Sequence, residues 1–440
     1  METGLRASRL RQLLPKSAFT RSIAVLTGAN VIGQIIVVVA SPLLTRLYSP
    51  EQMGMLSAFT SLLMILLAVA CWLYEMAIPL PDDSKRAINL VALSIVIVIG
   101  MSIVSGLGIV LFGEHIAKSV NTPALTPYLW ILPIALLGAG MYQALNYWAV
   151  REKQFACVAR TRMHESTAIV LTQLGLGLLK WGAAGLLIGI AVGRLVSNVA
   201  LIRLMYKQHK QSIKSVSTKM MREVAYRYRR FPLISSWSSL LNAIAFQLPY
   251  LLLTGLYGPH VLGLVALAQR VLGLPFNLLG TSVGQVYLAE AARLKRNPYQ
   301  LHRLFWKTVK NMAFLGIPVI GLIIFTAPWA FAVVFGSHWM QSGQYLQAMG
   351  VMFLMQLVAT PIKGSLYVLE RQDLLVYCEI CRTLFISGSL FLAWNLDQPA
   401  MMAVVFMGVA GAIGNFLPMF FSWRAIGVYR RQGAEGVKDG

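Results

Sequence analysis

Charge is scarce in this chain of 440 residues: only 12% are charged, about half the share of a soluble globular domain. Hydrophobic residues make up 57%, and the mean hydropathy is +0.66. These values exclude a soluble enzyme and a disordered chain, and leave a polytopic helical membrane protein. Cysteine is rare too. Cys71, Cys157, Cys378 and Cys381 fall within apolar runs or on what is read below as the cytoplasmic side, which excludes a disulfide scaffold. Cys378-Glu-Ile-Cys381 is a lone C-x-x-C with no second pair, so it reads as packing. The six histidines form no H-x-x-x-H pair, and no metal site or cofactor is expected. There is no G-x-x-x-x-G-K-[ST] loop, which excludes nucleotide hydrolysis at such a motif. Acid is scarcest of all, with 16 Asp and Glu against 38 Lys and Arg for a net charge of +22. The position of that excess decides its meaning.

A helix crosses the hydrocarbon with about 20 apolar residues. Twelve such runs are expected, near 22–45, 53–78, 88–112, 124–149, 165–180, 183–202, 232–256, 262–289, 311–334, 344–368, 374–395 and 400–422. The first is too long for the apolar core of a secretory signal, so no cleaved leader is expected. The N-terminus, every second connection and the C-terminus together hold 31 of the Lys and Arg, and the connections on the opposite side hold 3, namely Arg46, Lys118 and Lys180. The positive-inside rule turns that asymmetry into twelve spans with both termini cytoplasmic. The basic charge is therefore topological, and nucleic acid is not an expected partner. The richest stretch, Tyr206–Arg230, suits anionic lipid headgroups.

An internal repeat divides the chain. Leu44-Thr-Arg-Leu-Tyr-Ser-Pro-Glu-Gln-Met-Gly54 matches Leu253-Thr-Gly-Leu-Tyr-Gly-Pro-His-Val-Leu-Gly263 at six of eleven positions. Phe112-Gly-Glu-His115 echoes Phe335-Gly-Ser-His338, and Trp148-Ala-Val-Arg-Glu echoes Tyr367-Val-Leu-Glu-Arg. The order predicts two six-span halves of like orientation, as in transporters whose halves rock about a central site. The expected organisation is a cytoplasmic segment 1–21, an N-lobe 22–202, a basic hinge-like linker 203–231, a C-lobe 232–422 and a cytoplasmic tail 423–440.

Polar residues inside spans are expensive in lipid and are expected to face the interior. Helical spacing groups Thr27, Asn30, Gln34, Ser41 and Thr45 in the first span, and Ser235, Ser238, Ser239 and Asn242 in the seventh. It groups Arg270, Asn277, Thr281 and Gln285 in the eighth, and Gln356, Thr360, Lys363 and Tyr367 in the tenth. Tight packing through Ser and Thr is the competing explanation for the uncharged stripes. Arg194, Arg270, Lys363 and Arg382 are cations within spans, against the carboxylates Glu75, Glu165 and Glu379. Glu379 and Arg382 are spaced to neutralise one another, Lys363 is close enough to its span end to snorkel, and Arg194 is placed to brace a helix interface. Arg270 has no nearby acid in sequence and is the leading cavity residue. A cavity with excess positive charge suits a phosphate-bearing substrate, which an arginine fork binds with two parallel hydrogen bonds. The short outer connections hold only Glu51, Glu114 and Asp397 as acids, which argues against an outer-face enzyme.

Thr45-Arg-Leu-Tyr-Ser-Pro-Glu-Gln-Met-Gly54, Arg230-Phe-Pro-Leu, Gln269-Arg-Val-Leu-Gly-Leu-Pro275 and Phe335-Gly-Ser-His-Trp339, in that order, resemble the polysaccharide-transport flippases, the O-antigen and exopolysaccharide translocases. The likeness extends over essentially the whole chain. It implies the multidrug/oligosaccharidyl-lipid/polysaccharide superfamily, with a MATE-like, V-shaped pair of six-helix lobes. It implies a bacterial inner-membrane protein, not an enzyme, that moves undecaprenyl-pyrophosphate-linked oligosaccharide between leaflets for O-antigen, capsule or exopolysaccharide synthesis. The implied partners are that lipid-linked sugar, membrane lipids, H+ or Na+ as coupling ion, and a polymerase and chain-length regulator of the same pathway. Glu379 is the coupling candidate among the few carboxylates. The alternatives are a multidrug or cation antiporter on the same scaffold and an outer-face polymerase or ligase.

Overall fold

The computed structural model describes residues 18–435 other than 214 and 296, so most of the expected segment 1–21 and the end of the tail lie outside the described residues. Among the described residues there are helices and no strands. Without water to accept or donate, a chain in hydrocarbon must satisfy its backbone groups within itself, as a helix does. The first half holds α1 (Ala18–Leu47), α2 (Pro50–Leu67), α3 (Ser84–Ser119), α4 (Ile131–Arg151), α5 (Phe155–Leu178), α6 (Ala183–Ile213) and the short α7 (Thr218–Arg227). The second holds α8 (Ser236–Ala268), α9 (Leu274–Arg293), α10 (Pro298–Phe335), α11 (Met340–Ala348), α12 (Gly350–Ile362), α13 (Gly364–Val368), α14 (Gln372–Asn395) and α15 (Ala400–Glu435).

Eight described segments are long and apolar enough to cross a membrane. One of them, Phe231–Arg293, has 63 residues, which straight would extend roughly 95 Å, about three hydrocarbon thicknesses. It is not straight. Gly258 takes φ 84° and ψ 168°, a region open essentially to glycine alone, and Pro259 begins the next helical stretch. The segment thus folds around the turn between the expected runs 232–256 and 262–289.

Two runs depart from expectation. The run 53–78 is helical only to Leu67; beyond it Trp72 and Leu73 adopt left-handed φ of 51° and 58°, and Tyr74–Ala77 form a 3-10 turn. Tertiary contacts hold this break in place of a continued helix. Cys71 Sγ donates to the Gly140 carbonyl at 3.5 Å, and Tyr74 Oη donates to the Ala225 carbonyl at 3.0 Å. The run 344–368 is divided among α11, α12 and α13, with Pro361 in the last turn of α12 and Lys363 at the break that follows. Proline removes a ladder hydrogen bond there.

The described residues form two compact units, one of 18–47, 62–116 and 124–243, the other of 48–61, 117–123 and 244–435. In the first, α6 packs against α5 and α4, and Asn198 of α6 donates to the Gly138 carbonyl of α4 at 2.9 Å. In the second, α15 packs against α14 and α12, and Asn415 of α15 donates to the Met352 carbonyl of α12 at 3.4 Å. The same residue type thus cross-links corresponding helices in both halves of the repeat. The core of the second unit gathers Tyr287, Phe305, Val309, Val358, Ile362 and Ile426.

The basic connection 203–231 is not an open tether. Its helix α7 is capped by Ser217, whose Oγ accepts from the Met220 amide at 3.2 Å, and Val224 is buried. Asn89 Oδ1 accepts from the Ser217 amide at 3.1 Å, and Arg86 pairs with Glu223 at 3.2 Å. These contacts dock α7 on the first unit.

Within the second unit, the two copies of the repeat motif meet. A Cβ built on Gly54 would overlap the Pro259 carbonyl, and one built on Gly263 would overlap the Pro50 carbonyl. Each motif's glycine therefore receives the other motif's proline, and Glu51 pairs with His260, its repeat counterpart 209 residues away.

Candidate functional site

The cations of the spans fall into two clusters and one isolated residue. In the second unit, Lys363 at the α12–α13 break donates from Nζ to Glu379 Oε1 at 2.7 Å, and Arg382 Nη2 lies 2.8 Å from Glu379 Oε2. Glu379 and Arg382 are three residues apart on α14, as the spacing predicts, and Lys363 joins them from the neighbouring chain segment. The Arg382 guanidinium also lies 5.2 Å from the Phe246 ring centroid, while its Nε is buried without a hydrogen-bond partner.

The first unit has a corresponding cluster. Arg194 of α6 donates from Nη1 to Glu165 Oε1 of α5 at 2.6 Å, and Arg162 Nη1 donates to Oε2 at 3.5 Å. Arg162 in turn sits 4.8 Å from the Tyr142 ring centroid, and Tyr142 Oη is 3.2 Å from Thr161 Oγ1. The Arg194 Nε, like that of Arg382, is buried without a partner. Each cluster holds two cations to one carboxylate and so keeps a net positive charge.

Arg270 stands apart. It is half-buried, lies in a π turn (Gln269–Gly273) between α8 and α9, and pairs with no carboxylate among the described residues. A cation inside a span costs about 2.5–3.5 kcal/mol on insertion scales unless something compensates it. The π turn adds a second signal, since single π turns inside helices concentrate at functional sites.

The uncharged stripes divide between exposure and packing. Asn242, Asn277 and Thr281 are exposed, with Thr281 Oγ1 donating to the Asn277 carbonyl at 2.9 Å. Gln34 keeps a buried Oε1 without a hydrogen-bond partner. Ser41 and Thr45 donate back to carbonyls of their own helix at 2.8 and 3.1 Å and are buried. Thr360 likewise donates to the Gln356 carbonyl at 2.6 Å, and its side chain faces Gly280 of α9, where an added Cβ would come within 2.9 Å. Thr360 is thus part of a helix contact, and Gln356 is half-buried one turn away. The Asn30 side chain lies outside those described.

Sequence reasoning named Arg194 and Glu165 without joining them, and passed over Arg162 and Tyr142. Glu165 and Arg194 lie on different helices, so no spacing within one helix joins them. All four cysteines are free, and no group of three or more His, Cys, Asp or Glu able to hold a metal occurs among the described residues.

A family described as polysaccharide biosynthesis protein matches residues 43–344. No curated protein matches the chain. Among solved structures, the chain is similar to the lipid II flippase MurJ in an inward closed conformation, with 16% identity, a TM-score of 0.69, and 90% of this chain and 86% of that one covered. It is similar to an inward-facing multidrug resistance MATE family transporter of the MOP superfamily, at 14% identity and a TM-score of 0.65, covering 90% and 96%. A MOP superfamily transporter from Pyrococcus furiosus, described as having a binding pocket of reverse polarity, gives 15% identity and a TM-score of 0.58 over 93% and 96%. At these identities the structural likeness establishes the fold.

Proposed function

Because the chain belongs to the polysaccharide biosynthesis protein family and has the multi-pass fold of MOP superfamily transporters, we propose that it flips undecaprenyl-pyrophosphate-linked oligosaccharide across the bacterial inner membrane. Movement runs from the cytoplasmic to the periplasmic leaflet by alternating access, through twelve spans with both termini cytoplasmic. The observation that carries this reading is Arg270, a cation in a span, in a π turn, with no carboxylate beside it among the described residues. A pyrophosphate supplies the missing anion, and the guanidinium offers it paired donors. Lys363, Arg382 and Arg194 hold further positive charge, and the exposed Asn242, Asn277 and Thr281 suit sugar hydroxyls. Glu379, bridged by Lys363 and Arg382, is the group through which H+ or Na+ would couple, by competing with those cations for the carboxylate.

The test uses a deletion strain complemented with wild type or Arg270→Ala. Surface polysaccharide and the leaflet position of lipid-linked sugar in spheroplasts are measured at matched membrane levels of protein. Arg270→Ala is expected to abolish surface polymer and trap the loaded lipid in the inner leaflet. Wild-type polymer in that strain would remove Arg270 from the mechanism. Repeat units that reach the outer leaflet unpolymerised in the deletion strain would transfer the protein to a later step.

A further inference from the structure

The longest described helix, α10, changes character along one face. From Phe314 to Val333 its exposed residues are apolar, including Phe314, Leu322, Phe325 and Trp329. That stretch is about 30 Å long, the thickness of the hydrocarbon. One turn before it the same face becomes cationic. Arg303, Lys307 and Lys310 follow at intervals of four and three residues, are all exposed, and form no ion pair among the described residues. Trp306 and Tyr299 join them along an open groove of about 840 Å³ that no carboxylate lines. Within this cationic stretch the Trp306 Nε1 donates to His302 Nε2 at 3.3 Å.

We propose that this end of α10 is a binding site for the phosphate headgroup of an anionic phospholipid. The three cations meet the phosphodiester, Trp306 and Tyr299 sit at the interface as aromatic side chains do at membrane boundaries, and the acyl chains run along the exposed apolar face toward Phe325. Charge complementarity selects this occupant. A zwitterionic lipid would gain the same apolar contact but no net attraction, and a free phosphate would gain the charge but leave the apolar face uncovered. On the orientation proposed above the site lies in the cytoplasmic leaflet, where anionic lipid attracts basic residues near the surface. It stands apart from Arg270 and the span clusters, so its failure would leave the flippase reading untouched.

The full-length protein, purified in mild detergent, is titrated with phosphatidylglycerol, with phosphatidylcholine of the same acyl chains, and with inorganic phosphate. Bound lipid is counted by native mass spectrometry and Tm is recorded in parallel. Phosphatidylglycerol is expected to bind and raise Tm, with phosphatidylcholine much weaker and phosphate unable to displace it. The combined variant Arg303→Gln, Lys307→Gln, Lys310→Gln is expected to lose affinity on the order of a hundredfold. The variant Arg46→Gln, Lys118→Gln, Lys180→Gln, which removes the same charge at exposed positions far along the chain from α10, keeps it. A Tm in phosphatidylcholine equal to that of wild type certifies that the α10 variant is folded. Undiminished phosphatidylglycerol binding by the α10 variant, equal loss in the charge-matched control variant, equal binding of phosphatidylcholine, or displacement by phosphate would each overturn the site.

Discussion

Glu165 in the first unit and Glu379 in the second each lie between two cations, yet Glu165 exposes 7% of its side chain and Glu379 exposes 31%. The surroundings differ to match. Glu165 ties α5 to α6 and faces an arginine stacked on Tyr142, whereas Glu379 meets Lys363 at a break between two short helices. A desolvated bridge is fixed, because separating it would strand charges in a medium that cannot screen them. A bridge only partly buried, at a helix break, costs less to open. Each unit thus holds a carboxylate between two cations, enclosed between packed helices in the first and partly open at a helix break in the second.

The contrast is broken most directly at the carboxylates. Glu165→Gln is expected to lower stability by about 4 kcal/mol, the range for removing one member of a buried pair, and Glu379→Gln by about 1 kcal/mol. Thermal unfolding in detergent reads both, and equal drops would erase the distinction between the enclosed bridge and the partly open one. The repeat motifs should behave in the opposite way, alike in both halves. Gly54→Ala and Gly263→Ala each force a Cβ onto a proline carbonyl, and each is expected to cost about 2 kcal/mol by overpacking. A large difference between them would mean that the crossing is not reciprocal.

The smallest effect is expected on the surface, where Lys295 donates to Glu370 at 2.8 Å. Lys295 holds the Glu370 carboxyl below the usual carboxylate range, and Glu370 in turn raises the Lys295 ammonium. A depressed carboxyl contributes above its unfolded value and loses that contribution as pH falls through its folded value. A raised lysine contributes until pH rises through its own folded value. The difference in Tm between wild type and Glu370→Gln should therefore be small and flat across neutral pH and vanish in acid. A difference that grows in acid would contradict the pairing.

The helices were legible because hydropathy and length are local properties that the hydrocarbon enforces, and the repeat was legible because Pro and Gly recur in order. The end of α2 at Leu67 was not, since the residues beyond it continue the apolar run and only contacts to Gly140 and Ala225 turn the chain. Nor were the ion pairs between helices legible. Arg194 meets a partner 29 residues away and Lys363 one 16 residues away, separations set by helix packing and carried by no local spacing. Glu379 with Arg382 was legible because both sit on one helix. Arg270 was legible as an unaccompanied cation, but its π turn was not, because the sequence around it reads as continuous helix.

The reciprocal meeting of Pro50 with Gly263 and of Pro259 with Gly54 has an ancestral meaning. A surface that fits its own duplicate is a surface that fits itself, and this is the condition for a two-fold symmetric dimer. A chain of half this length, carrying the motif once, would already possess the patch by which two copies close face to face. Gene fusion would then have preserved an existing handshake and freed each partner to diverge, as Glu51 and His260 have done at matched positions.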